Sequence, residues 1–360
     1  MGAILDIIVT LLLLIWLGLM AINAYNLLDK KGKTYRAKNT GMRLLVVIPC
    51  KGKDLTLADN LLSVKRQDYR NYGVVAVVDS EDDEAVPEIR RAGIKWILAS
   101  KRFERCSGKV AAISTVLQRF RNYDAYAIID SDVCCKRNHI GELVAPLADK
   151  RVGISTAYPY FNPMGGFWSK VKMVWGFVGN GMMESRVTRF GWGGSIAFRK
   201  DLLSRPYFGI FARAVSDDMA LVHASTSKGL RTEYVNKGTV TVNVDDNFSG
   251  FLEWSNRQTA LSILGSRKVL WMGLAFYGAS CLLLLSGILL PVFASPIYAI
   301  FLVPFFIGLY KTYRRSRRKY LSIIPIYLVM NIIFLANLFA ASRMRSIEWR
   351  GRRYALRNPF

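Results

Sequence analysis

Histidine is almost absent from this chain of 360 residues: His139 and His223 are the only two, too few to make a zinc site a good reading. The five cysteines have no repeated spacing and no Cys-x-x-Cys pair, which fits a reduced compartment rather than a disulfide framework. Cys134 and Cys135 stand beside a carboxylate pair but read as filler. No low-complexity linker or internal repeat interrupts the soluble part, and with 52% apolar residues disorder is excluded. Acidic residues are outnumbered 26 to 50 by Lys and Arg, leaving a net charge of +24. Such a balance suits nucleic acid, anionic lipid or a phosphorylated substrate.

What the chain does have is long apolar runs. Ile7 to Leu28 carries no charge and is long enough to cross a hydrocarbon core of ~30 Å. It lacks a basic start and a small-residue cleavage site, so it reads as an anchor rather than a signal peptide. Val269 to Tyr310 is charge-free and broken by Pro291 and Pro296, as two crossings joined by a tight turn would be. Lys30, Lys31, Lys33, Arg36 and Lys38 follow the first run, and Lys311 to Lys319 follows the second pair, so the domain between them is expected in the cytoplasm. The last run, Leu321 to Ser342, is followed by Arg343, Arg345, Arg350, Arg352, Arg353 and Arg357. One simple crossing would put these outside, so a re-entrant or interfacial course is expected, helped by Pro325, Asn331 and Asn337. The expected partition is an N-terminal span over 1–30, a catalytic domain over 40–267, a transmembrane or re-entrant region over 268–342 and a basic tail over 343–360.

The soluble part alternates strand and helix. Leu44–Ile48, Val74–Val78, Ile94–Leu98 and Ala125–Ile129 are short apolar runs typical of buried parallel strands. Helical spacing fills Thr56–Arg66, Glu84–Ala92 and Lys109–Phe120 between them. This pattern predicts a parallel α/β sheet, with ligands at the carboxyl ends of its strands.

Carboxylates stand at those ends. Asp130-Ser131-Asp132 leaves the fourth strand, where two acidic side chains can hold a hard cation that also bridges a diphosphate; a solvated turn is the plainer reading. Asp79 ends the second strand, a position suited to the base or ribose of a nucleotide, with Glu81, Asp82 and Asp83 behind it. Lys109, after Ser107-Gly108 at a helix start, can neutralise phosphate, although a lone lysine is more often a surface residue. Ser216-Asp217-Asp218 opens a helix, where acidic residues commonly cap. As chemistry, Asp218 is the choice for a base that takes a proton from an acceptor hydroxyl. Trp254, Arg257 and Gln258 share a helix face and offer an aromatic plane, a cation and an amide; an amphipathic interfacial helix is the plainer account. Phe167 to Trp175 interleaves aromatics with lysines, which suits the headgroup layer, and Trp349 to Tyr354 either anchors the carboxyl end there or lines the donor site.

Taken in order, Val46-Val-Ile-Pro49, Asp79, Gly108-Lys109, Asp130-Ser-Asp132, Gly191 to Arg199, Asp217-Asp218, Trp254 to Gln258 and Ile347 to Tyr354 resemble the inverting glycosyltransferases of family 2, most closely their ceramide glucosyltransferase-like branch. The resemblance implies a membrane-bound GT-A (Rossmann-like) α/β domain that binds a UDP- or GDP-hexose. It implies that Pro49, Asp79, Lys109, Asp130 and Trp254 contact the donor, and that Asp132, with Asp130, binds Mg²⁺ or Mn²⁺. It further implies that Asp218 is the base with Asp217 beside it, that Arg257 and Gln258 assist the leaving group or acceptor, and that Trp192, Gly193 and Gly194 wall the acceptor pocket. The family's helix motif has Arg-Trp where Arg257-Gln258 stands here, and a Glu is frequent at Asp217.

The expected activity is transfer of a hexose, glucose by family analogy, to a hydroxyl of a membrane lipid. A polyprenyl-phosphate sugar synthase, which needs no base, and a non-catalytic lipid-binding scaffold are the alternatives. A processive polysaccharide synthase has too few spans, and nucleic acid is not an expected partner, since no reader motif appears.

Overall fold

The computed structural model describes residues 2–28, 40–103, 105–236, 240–317 and 321–357. Lys30, Lys31, Lys33, Arg36, Lys38, Arg318 and Lys319, used above for orientation, lie outside them. Two compact units emerge: a helical one from Met1–Lys31, Lys170–Gly181 and Asp246–Met344, and an α/β one from Gly32–Ser169, Met182–Asp245 and Arg345–Phe360.

In the α/β unit, strands β1 (Leu44–Pro49), β2 (Tyr72–Val78), β3 (Lys95–Leu98) and β4 (Ala125–Ile129) pair in parallel. The helices Leu57–Lys65, Val86–Arg91 and Gly108–Arg119 connect them, within a few residues of the expected ranges. β1 reads as an unbroken apolar run because both faces of the sheet are covered: Leu44 to Val47 are at most 3% exposed. After β4 the direction changes. Short β5 (Val133–Cys134) leaves the sheet, β6 (Val152–Thr156) and β7 (Pro159–Pro163) follow, and β8 (Ser195–Arg199) returns antiparallel to both β4 and β6. β9 (Arg231–Tyr234) closes the order β3-β2-β1-β4-β8-β6-β9, while β10 (Val240–Val244) joins β5 and β7 in a second, three-stranded sheet. The main sheet is therefore mixed, not wholly parallel. Ile113, Val116, Ile128, Ile196, Phe198 and Leu221 belong to the core on one side of it.

The chain's last strands, β11 (Ser346–Trp349) and β12 (Arg352–Ala355), form a hairpin that belongs to the α/β unit. The helix Phe248–Gly265, at the end of the expected catalytic domain, falls instead in the helical unit.

Four segments of the helical unit are long and apolar enough to cross a membrane: Asp6–Tyr25, Lys268–Phe293, Pro296–Arg315 and Ile323–Arg343. Their large apolar side chains point outward in many places, Leu14 at 61%, Trp271 at 69% and Phe293 at 81% exposure, as a lipid-facing surface requires. Pro291 is accommodated inside Lys268–Phe293, and the break falls just beyond it, before Pro296. The last helix shows no break at Pro325 or Asn331. Pro325 sits in its first turn, where a missing N–H costs no intrahelical bond, and Asn337 is held by Trp175, Ser255 and Asn256.

Candidate functional site

Strand ends and one helix start bring the acidic residues together. Pro49 ends β1, Asp79 follows β2, Asp130 and Asp132 follow β4, and all four line one cleft with Lys51, Lys109, Arg350, Arg352 and Tyr354. The parallel topology makes this convergence, because every one of these strands delivers its carboxyl end to the same edge.

Lys109 is placed by its helix. Ser107 caps Gly108–Arg119 by accepting from the Val110 N–H at 3.2 Å, which fixes Lys109 in the first turn. Its ammonium lies 2.8 Å from Asp130 Oδ1 and 3.3 Å from Asp217 Oδ1, with its side chain only 9% exposed. Expected on the donor phosphate, Lys109 here bridges the buried Asp217 and the half-buried Asp130. Burial works to lower its pKa, but Asp130 and Asp217 together outweigh it and hold the ammonium above its usual range.

Asp130 is pushed up to about 6, first by burial, with Lys109 opposing and Asp132 adding to the rise. Two carboxylates close enough to repel in one cleft, with oxygen donors only, suit a hard divalent cation. Among the described residues no group of three or more His, Cys, Asp or Glu is arranged to hold a metal, so a cation held by Asp130 and Asp132 would draw its remaining ligands from substrate and water.

Asp217 and Asp218 begin the helix Asp217–Ser227 behind Ser216, whose hydroxyl accepts from the Met219 N–H. Asp218, half-buried, takes the Ser216 hydroxyl and the Met219 N–H (2.8 Å) on Oδ1 and the Gly193 N–H (3.1 Å) on Oδ2. Both the capping and the catalytic readings thus have a geometric basis, since these bonds position the carboxylate. Asp217 is only 4% exposed and is pushed up to about 7 by burial, against Lys109 and with Asp218 and Asp130 adding to the rise.

Trp192, Gly193 and Gly194 run beside this cluster. Gly194 O accepts from the Asp130 N–H at 3.1 Å, and a Cβ at Gly193 would come within 2.7 Å of Asp217 Oδ2. A Cβ at Gly194 would collide with the indole of Trp192, which stands edge-on to Tyr158. Gly194→Ala is therefore expected to displace Trp192 and destabilise the chain by about 1–3 kcal/mol, read from a thermal melt.

Trp254, Arg257 and Gln258 lie in the helical unit, on Phe248–Gly265. The Trp254 ring meets Trp175 at 4.8 Å and Lys172 Nζ at 4.6 Å, and Lys172 is also paired with Asp246 at 3.0 Å, all within that unit. Asp83, expected behind Asp79, accepts from the Gly52 and Ala85 N–H groups and shapes the loops rather than facing a ligand.

Sequence reasoning missed Lys51, which pairs with Asp79 at 3.4 Å, and left Arg350, Arg352 and Tyr354 between two places. They are at the cleft. The signal for them was the Arg350-Gly351 pair between alternating residues, a two-residue hairpin turn in which both residues have positive φ (52° and 71°).

Among solved structures, the chain resembles the mannosyltransferase PcManGT from Pyrobaculum calidifontis, solved with GDP-Man and Mn²⁺. The identity is 18%, with 92% of this chain and 97% of that one covered and a TM-score of 0.55. A glucosyl-3-phosphoglycerate synthase from Mycobacterium tuberculosis, solved with Mn²⁺, UDP and glucosyl-3-phosphoglycerate, matches at 16% identity over 63% of this chain and 81% of that one, with a TM-score of 0.44. A search of curated proteins found no match. The first of these likenesses carries the GT-A fold. The profile of glycosyl transferase family 21 matches residues 10–359, so the glycosyltransferase assignment drawn from the motifs stands, under family 21 rather than family 2. The chain is a glycosyltransferase and belongs to glycosyl transferase family 21.

Proposed function

We propose that this glycosyltransferase moves a hexose, glucose in the first instance, from a UDP- or GDP-sugar to a hydroxyl of a membrane lipid at the cytoplasmic face. The observation that carries the reading is the gathering of Asp79, Asp130 and Asp132 around one cleft at the carboxyl edge of a GT-A sheet, in a chain with four helices fit to cross a bilayer. Asp79 binds the nucleoside. Asp132 and Asp130 would hold Mg²⁺ or Mn²⁺, which when bound screens the charge of the diphosphate. Asp218 accepts the proton of the acceptor hydroxyl as that oxygen attacks the anomeric carbon and the nucleoside diphosphate departs, a single displacement that inverts the centre. Gly193 N–H and Ser216 aim that carboxylate. Trp192 to Gly194 wall the acceptor side, while donor contact by Trp254 and aid to the leaving group or acceptor by Arg257 and Gln258 rest on the family resemblance alone.

Contacts within the helical unit support the proposed membrane course. Trp16 donates to Ile300 O and Lys311 to Asn23, so the first span and Pro296–Arg315 run parallel, with Lys268–Phe293 between them in sequence. The helix Ile323–Arg343 touches Gly308 through Tyr327 and Gly273 through Leu338, near the end of one span and the start of another. Both of its ends thus meet the same two neighbouring spans, which supports a course of three crossings with a final helix in the interface, and the excess of basic residues supports a cytoplasmic catalytic domain.

The test is transfer by the full chain in detergent, screened over UDP- and GDP-hexoses, GDP-mannose included, with Mn²⁺ and a total lipid extract. Asp218→Asn is expected to lower lipid glycosylation about 10²–10⁴-fold. Near-full activity in that variant would favour a phosphate acceptor, as in a polyprenyl-phosphate sugar synthase. A folded wild type that neither binds nor turns over any donor would leave the scaffold as the better account.

A further inference from the structure

The cleft has more carboxylate than the donor alone explains, and its cations come from an unexpected place. Lys109 is committed to Asp130 and Asp217. The other positive side chains lining the cleft are Lys51, from the loop after β1, and Arg350 and Arg352, from the hairpin at the far end of the chain. Arg352 Nη2 lies 3.1 Å from Asp79 Oδ2, Arg350 Nη2 bonds Asp54 Oδ1, and the Tyr354 hydroxyl accepts from the Gly108 N–H at 3.2 Å. Strand alternation puts Arg352 and Tyr354 on one face, whereas Arg353 turns the other way and donates to Ser346.

Two features argue that these arginines do more than fasten the tail. First, Arg350 occupies the leading position of a two-residue turn at φ 52°, where glycine, asparagine or aspartate is preferred, so turn propensity did not select it. Second, the arginine side chains are 44% and 51% exposed, and ion pairs that exposed are weakly held and readily exchanged. The cleft they line opens to solvent, so a diphosphate entering it meets two guanidinium forks shaped to bind it.

We propose that Arg350 and Arg352 are ligands of the donor's diphosphate, and that Asp54 and Asp79 hold them in place until the donor arrives. This rests on the donor reading given above. On donor binding Arg352 leaves Asp79 and Arg350 leaves Asp54, so that both guanidinium groups turn to the diphosphate and the Asp79 carboxylate is freed for the nucleoside. The segment that follows the last membrane helix thereby becomes part of the donor site.

The experiment is calorimetric binding of UDP and GDP, each with Mn²⁺, to the full chain in detergent. Wild type is expected to bind one of them. The R350Q/R352Q double variant is expected to bind it roughly 10–100-fold more weakly, with Arg352→Lys falling between, because it keeps the charge and loses the fork. Arg353→Gln, on the opposite face, should bind like wild type. Asp54→Asn separates a ligand from a staple: it releases Arg350 without removing it, so affinity is held or improved. Equal losses in Asp54→Asn and Arg350→Gln would overturn the assignment in favour of a structural fastening, as would unchanged binding by the double variant. A wild type that binds neither nucleotide overturns the donor reading itself, and the assignment with it.

Discussion

Asp132→Ala is expected to abolish sugar transfer, by on the order of 10³-fold or more, while leaving the fold intact. The two halves of this result have separate causes. Asp132 lies in the loop beyond β4, half-buried and lining the cleft, outside the apolar core of the α/β unit. Removing its carboxylate also removes a neighbour that raises the pKa of Asp130, so the apo protein loses a repulsion and its melting temperature stays level or rises slightly. The cost falls on the loaded state, where one of the two carboxylates offered to the cation is gone. Saturating Mn²⁺ tests the assignment: partial recovery of single-turnover rate at high metal indicates weakened metal affinity, and full activity at ordinary metal would remove Asp132 from the metal site. Asp130→Ala is a poorer probe, because it also strips Lys109 of its 2.8 Å partner.

The first half of the α/β unit was legible because buried parallel strands announce themselves as apolar runs, and Leu44–Pro49, Tyr72–Val78 and Ala125–Ile129 fall where such runs stand. The second half was not. Ser195–Arg199 reads as the wall of a pocket, and nothing local in Ser-Ile-Ala-Phe-Arg says that it runs antiparallel between β4 and β6. Strand direction is set by how far the chain travels before it returns, which residue type does not record. The carboxylates were found for the opposite reason: a strand that ends in Asp is visible in one dimension, and the shared edge does the rest. The hairpin arginines meet their partners across most of the chain, Arg350 with Asp54 at a separation of 296 residues, so the local pattern that marks the turn does not name what the arginines pair with. The ion pairs of Lys109 were not legible either, since a lysine at a helix start gives no sign of the second carboxylate that Asp217 brings from another helix.

These two ion pairs lead to the largest expected effect on stability. Lys109→Met keeps the length and apolar stem of the side chain and removes the charge, leaving Asp130 and Asp217 facing one another without compensation. Breaking a buried ion pair by deleting one partner costs about 3–5 kcal/mol, and here one cation serves two acids. The loss should depend on pH. Both carboxyls already have pKa values raised by burial, to about 6 for Asp130 and about 7 for Asp217, and without Lys109, which opposes the rise, they go higher. A raised carboxyl pKa means that the folded state holds protons the unfolded state has released, so stability is present at low pH and is lost as pH rises through the folded value. The variant is therefore expected to be closest to wild type near pH 5 and furthest below it at pH 8. Adding Asp217→Asn to Lys109→Met removes one of the stranded charges and should return part of the loss at pH 8 and little at pH 5. Thermal melts of the wild type and both variants across that range decide it: a penalty independent of pH would mean that Lys109 matters for its packing, and no penalty at all would mean that the Lys109 bridge between Asp130 and the helix Asp217–Ser227 is not what holds them in register.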